Sequence, residues 1–337
     1  RKNAVSTLKD TEMIRKESSG GVGYSVIELN GISHVFAAAV PLNGGTLREQ
    51  VADALRTICA VDDQEGVHGQ IVKQAVFIRD PSLIDECREI IREFYGDQMP
   101  ATTYICQPPC CGSLVSIEAL GVGQSSQKVE IERVSEQIVI TRHGGVSWVH
   151  CGQIVPEENT KSVHERSLSA FRRMKQMLAD HDIRFEQIAR TWLYLGDIVG
   201  DEGDTQRYKE LNRARTDFFE GIRFAEGLTP AGFDREVYPA STGIGTVNGD
   251  VVMSAIAVDA APGQVTFLPL ENPDQTSAFD YGRVYSPTSP KFARAMALAT
   301  GNCSTIFVSG TASITGSETR FLDDAEGQTQ QTLDNIE

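Results

Sequence analysis

The sequence predicts an α+β protein assembled from tandem units with the order β-β-α-β-α-β-β. Three observations predict it. One succession of apolar strands and amphipathic helices runs twice, over 23–122 and 129–260. Asn-Gly or Gly-Gly pairs break the opening apolar stretches where a hairpin must turn. A third run of the same opening elements starts at Ile306.

In the first unit, Tyr24–Leu42 alternates around Asn30-Gly31 and reads as a hairpin. Thr46 then caps a helix with Leu47, Val51, Leu55 and Ile58 at helical spacing. A β-branched strand follows. Asp80-Pro81-Ser82 opens a second helix, which ends on Gly96. TTYICQPP and LVSIEALGV close the unit, and Gly123–Lys128 is the linker.

The second unit turns at His143-Gly144-Gly145. Its first helix carries Leu168, Phe171, Met174 and Leu178 on one face. IARTWLYLGDIV is the next strand, Asp204–Ile222 holds the next helix, and Asn248-Gly249 turns the closing pair. Residues 261–305 read as a connecting segment, and 306–337 as the start of a third unit that stops inside its first helix. A half-formed unit leaves a sheet edge and an apolar helix face bare. The expectation is therefore a fragment, or another subunit covering the gap. Residues 1–22 are polar and read as a disordered or loosely attached leader.

Composition bounds the function. The 337 residues are 40% hydrophobic and 23% charged, which suits two or three globular domains. A net charge of −15 argues against nucleic acid as the main partner, because phosphate binding needs a concentrated basic face. No apolar run reaches the roughly 18 residues of a membrane span. Seven cysteines, an odd number, point to a reducing cytoplasm. Cys110-Cys111 has no CxxC partner and the six histidines have no paired spacing, so no metal site and no cofactor are expected.

The unit pattern, and above all the helix Tyr208–Phe219, resembles the RidA/YjgF superfamily, whose fold is like that of chorismate mutase. That resemblance implies trimers or pseudo-trimers with small-molecule sites in clefts between adjacent domains. From about Ala189 the words ARTWLYL, PASTGIG (Pro239–Gly245), PLENPDQTSAFDY (Pro269–Tyr281), YSPTSPKFARA (Tyr285–Ala295) and FVSGTASI (Phe307–Ile314) resemble chorismatases of the FkbO and Hyg type. The resemblance implies hydrolysis of chorismate or a related small cyclic carboxylate with release of pyruvate. It implies Tyr285, Phe292, Gly310, Thr311 and Ala312 as pocket walls, and Ala312 matches the branch that yields a dihydroxycyclohexadiene acid. Arg283, Arg294 and Arg190 are the candidate carboxylate contacts.

Two departures accompany the resemblance. Thr288 stands where the family has an arginine, and the family's catalytic glutamate, near the end of its last domain, has no counterpart before Glu337. No catalytic residue is assigned. Two rivals stay open: a non-catalytic metabolite-binding or scaffold protein, and a RidA-type deaminase of enamines. The deaminase needs an arginine where Gln107 and Ser241–Thr242 stand. Tyr208, Asn212 and Arg215 share a helix face and read more readily as subunit packing than as ligand contacts. Gly243 and Gly245 read as turn geometry, and His143 and His150 as surface and packing residues.

Overall fold

The computed structural model describes residues 13–17, 20–65, 69–280 and 288–337. The first sheet has six strands in the order β1-β2-β3-β6-β4-β5. Its elements are β1 (Met13–Glu17), β2 (Val22–Leu29), β3 (Ile32–Ala39), α1 (Leu47–Glu65), β4 (Gln70–Ile78), α2 (Ile84–Tyr95), β5 (Ala101–Cys106) and β6 (Val115–Gln124). The β2–β3 hairpin turns at Asn30 and Gly31, both at positive φ (50° and 77°), as an Asn-Gly turn requires. Thr46 and Glu49 cap α1 reciprocally, and Leu47, Val51, Leu55 and Ile58 are all buried on the sheet.

The second sheet repeats the plan. It contains β7 (Glu130–Ser135), β8 (Ile138–His143), β9 (Val146–Ile154), α3 (Val163–Ala179), β10 (Ile188–Gly196), a two-residue pair β11 (Asp201–Glu202) and β12 (Thr205–Gln206), α4 (Arg207–Phe219), β13 (Ala240–Thr246) and β14 (Val251–Ala260). Its order, β7-β8-β9-β14-β10-β13, is that of the first sheet. Phe171, Met174 and Leu178 of α3 are buried, while Leu168 sits half-buried at the margin of the stripe. Removing the Phe171 ring would cost about 3–5 kcal/mol.

The third group is β15 (Val265–Leu270), β16 (Ala295–Thr300) and β17 (Cys303–Val308), an antiparallel sheet in that order. A short pair, β18 (Ile314–Thr315) and β19 (Glu318–Thr319), and α5 (Ala325–Asp334) follow, with Asp324 capping α5 through the Gly327 amide.

This is the α+β plan of repeated units, with one correction to its period. Each unit opens with three strands, not two, because a polar strand (β1 or β7) lies along the outer edge. Such strands carry little apolar signal: β7 reads EIERVS and has no fully buried residue. For the same reason, the stretch read as a leader holds β1, paired antiparallel to β2. Two strands of the third sheet likewise lie inside the stretch read as a connector.

Helices cover one face of each large sheet, and the opposite faces meet. Ile32, Val72, Ala101 and Val122 of the first sheet pack on Val139 of the second. Val146, Trp148, Ala189, Ala240, Ile256 and Val258 of the second pack on Val265, Phe267, Met296 and Leu298 of the third. Asn30 donates through Nδ2 to the Thr300 carbonyl at 2.9 Å, so the first unit also touches the third.

Candidate functional site

A cavity of about 400 Å³ opens where the second unit meets the third. One wall is α4 and β13, and the other is formed by Pro290–Arg294 and 309–314. The seam between them is hydrogen-bonded: the Ser241 amide donates to Ser309 Oγ at 2.8 Å, and the Gly310 amide donates to Thr242 Oγ1 at 2.9 Å. Two glycines let the walls approach. A Cβ on Gly243 would lie 2.9 Å from Tyr208 Cε2, and one on Gly310 would lie 2.7 Å from Thr242 Cγ2.

Arg215 lies in this cavity and is 2% exposed. Its position follows from the helix pattern, since Leu211 and Ala214 turn the same face of α4 toward the sheet. Nη2 donates to Asn212 Oδ1 at 2.6 Å and Nη1 to Ser241 Oγ at 3.3 Å. Nε is buried without a protein acceptor. Burial lowers the guanidinium pKa, an effect that the Tyr208 hydroxyl beside it partly offsets. The charge is thus held by a neutral amide and neutral hydroxyls, and no ion pair reaches it among the described residues. A buried cation so placed is stabilised by an anion supplied from outside the protein.

Phe292 lies between two guanidiniums. Arg215 Cζ is 5.3 Å from its ring centre and Arg294 Cζ is 5.6 Å. Arg294 Nη2 donates to the Thr276 carbonyl at 2.9 Å, and its amide donates to Glu271 Oε1 at 3.3 Å. Thr311 Oγ1 accepts from Gln275 Nε2 at 3.1 Å, and the Ala312 carbonyl accepts from Asn335 Nδ2 at 2.8 Å, so the residue that ends α5 holds this wall. Among the described residues, arginine supplies all the charged side chains that line the cavity, and no carboxylate faces it.

Of the residues chosen from sequence, Phe292, Arg294, Gly310, Thr311 and Ala312 line this one cavity. Arg190 does not line it. It stands behind the wall, 6% exposed, with Nη2 donating to Thr242 Oγ1 at 2.5 Å and Cζ 4.6 Å from the Trp192 ring, and burial lowers its pKa to about 10. Tyr285 and Arg283 lie outside the described residues. Tyr208 and Arg215, weighted toward subunit packing, line the cavity instead. The available signal was an arginine between apolar residues on the buried face of a helix, which needs a reason to be there.

The corresponding cleft between the first and second units also holds a cavity, of about 380 Å³, but its lining differs. Strand register makes Tyr104 of β5 the counterpart of Gly243, since Lys73 pairs with Ala101 as Arg190 pairs with Ala240. The Tyr104 amide donates to Gln153 Oε1 at 2.8 Å, and Arg92 bridges Glu136 at 2.6 Å. Tyr104, Arg92, Glu136 and Gln153 line that cavity, so a carboxylate already faces its arginines.

Comparison with known proteins bears on the family and the fold. Residues 124–257 match the family model described as chorismatase FkbO/Hyg5-like, N-terminal. The match begins well before Ala189, where the sequence words start, and covers most of the second unit. A 3-hydroxybenzoate synthase of Streptomyces hygroscopicus is 32% identical over 200 residues, covering 58% of this chain and 54% of that protein. A chorismatase of the same organism is 33% identical over 150 residues, covering 44% of this chain and 40% of that protein. A crystal structure of a chorismatase superposes with a TM-score of 0.56 at 20% identity, over 81% of this chain and 72% of that one, a likeness of fold. The chain spans about half the length of the curated relatives it matches. It is an α+β protein with a fold like that of a chorismatase, and it is similar in sequence to chorismatases of the FkbO/Hyg type.

Proposed function

We propose that the chain binds chorismate, or a closely similar cyclic dicarboxylate, between its second and third units, and belongs to a chorismatase-like hydrolase that releases pyruvate. The observation that carries this reading is Arg215, a buried guanidinium with no carboxylate partner among the described residues, beside Arg294 and across Phe292 in a cavity sized for one small ring. Arg215 and Arg294 take the two carboxylates of the ligand. Phe292 and the backbone of Gly310–Ala312 bound its ring, and Tyr208 lies over Gly243 as the opposing wall. The match of Ala312 to the branch yielding a dihydroxycyclohexadiene acid favours that product.

Hydrolysis of an enol ether requires protonation of the enolpyruvyl carbon and attack by water. The described residues of the cavity lining provide binding and orientation but no carboxylic acid. That observation favours a second reading, in which the chain binds the acid without turning it over. Ser241 and Thr242 place hydroxyls where a deaminase needs a guanidinium, so the enamine reading has the least support.

Incubating the protein with chorismate and following pyruvate through lactate dehydrogenase tests the first reading. Pyruvate formed in step with chorismate loss supports hydrolysis. No pyruvate with enzyme in excess of substrate contradicts hydrolysis, and saturable binding in the same samples then leaves the second reading standing.

A further inference from the structure

A second cavity, of about 470 Å³, lies between the inner faces of the first and second sheets and reaches Phe307 of the third. It is separate from the Arg215 cavity and has a different character. Aromatic rings dominate its lining: Phe36 and Tyr24 from the first sheet, Trp192 and Tyr194 from the second, and Phe307. Phe36 is 43% exposed, which marks the open side. A volume of this size falls within the range of ordinary small-molecule sites.

The cation in this lining is Lys73. Its Nζ donates to the Cys151 carbonyl at 2.7 Å and lies 5.1 Å from the centre of the Trp192 ring. An ammonium carries three donors, and among the described residues the Cys151 carbonyl is the one acceptor it meets. No ion pair joins it among the described residues. Glu118 also lines this cavity, opposite Ala75 and two pairs along from the Lys73–Leu120 pair, and burial raises its carboxyl pKa. The pocket therefore sets the Lys73 ammonium beside Trp192 and the Glu118 carboxyl two residue pairs away, where burial favours the neutral form, with rings over much of the rest.

We propose that this cavity binds a small aromatic carboxylate, with the carboxylate on the Lys73 ammonium and the ring packed among Trp192, Phe36 and Phe307. A single cation suits one carboxylate and is too little for a phosphate ester or a dicarboxylate. The apolar remainder favours a ring over a sugar or a peptide. Burial holds the Lys73 amine down at about 8, so the lysine is mostly charged near neutrality and its charge is under-compensated. The groups packed round it, Cys151 pushed up to about 12, His150 down to about 3 and Arg190 down to about 10, do not titrate near that value.

The test is calorimetric titration of the full chain with benzoate and, separately, with benzyl alcohol. Benzoate is expected to bind the wild type, to bind Lys73→Met about tenfold or more weakly, and to bind Arg215→Leu with unchanged affinity. Benzyl alcohol is expected to bind wild type and Lys73→Met alike. On wild type alone, benzoate affinity is expected to fall as pH rises through about 8 while that of benzyl alcohol stays level, so the proposal can be judged even if the variant does not fold. Equal benzoate affinity in Lys73→Met, loss confined to Arg215→Leu, a flat pH profile, or no heat at about 10 mM benzoate would each overturn it.

Discussion

Lys73 of β4 and Arg190 of β10 occupy the same place in their two sheets. Each follows a bulge against the antiparallel neighbour, between Ile71 and Lys73 in one sheet and between Ile188 and Arg190 in the other. Each pairs with the alanine that opens its parallel neighbour, Ala101 or Ala240. The two cations have diverged in use. Lys73 faces the inter-sheet cavity, whereas Arg190 braces Thr242 behind the arginine-lined cleft. One backbone plan thus yields two unlike environments, because the side chains around the shared position differ.

Arg215 is expected to dominate binding in the arginine-lined cleft. Replacing it with leucine should weaken binding of a dicarboxylate by about 10²-fold, in line with about 2–5 kcal/mol for a buried charged hydrogen bond. Thermal unfolding should shift little or upward, since a desolvated charge is removed. Binding titration together with a melting curve separates the two effects.

Gly310→Ala should damage the same cleft by geometry. The added methyl meets Thr242 Cγ2 at 2.7 Å and forces that side chain to turn. Thr242 Oγ1 then loses the donors it now receives from Arg190 and from the Gly310 amide. Weaker ligand binding with unchanged helix content by circular dichroism is the expected outcome. Unchanged affinity would show that the seam is not part of the site.

Ser162→Ala tests the cap of α3. Ser162 Oγ accepts from the Glu165 amide, and Glu165 Oε2 accepts from the Ser162 amide, each at 3.2 Å. Losing the cap should cost about 1 kcal/mol, read as a lower urea midpoint with unchanged slope.

Acid should destabilise the protein through histidines at the sheet interface. Burial lowers the pKa of His34 to about 4 and that of His150 to about 3, from 6.5. The folded state therefore binds these protons less readily than the unfolded chain. Their contribution is complete above about 6.5 and is lost progressively as pH falls toward about 3. Urea unfolding across that window should show the decline, and His150→Gln should flatten it. An unchanged slope in the variant would rule His150 out as a source.

The helices and inner strands were legible because their apolar residues recur at clear periods. Val51, Leu55 and Ile58 marked a buried face, and Asn30-Gly31 marked a turn. The outer strands were not legible, because β7 buries little and so carries no alternation. In the cleft, the words around Phe292 and Gly310 pointed to the wall formed by the third unit. Arg215 was harder to see, since a helix face bearing Tyr208, Asn212 and Arg215 looks alike whether it packs on a subunit or on a ligand. Only the partner surface, supplied from about 80 residues further along the chain, decides between them.

The central claim is that the cleft between the second and third units is a dicarboxylate site built on Arg215. The most direct measurement is calorimetric titration of chorismate into the wild type, Arg215→Leu and Lys73→Met. The account predicts one site per chain in the wild type, loss of about two orders of magnitude in Arg215→Leu, and wild-type affinity in Lys73→Met. Equal affinity in wild type and Arg215→Leu, or no binding to the wild type, would contradict it.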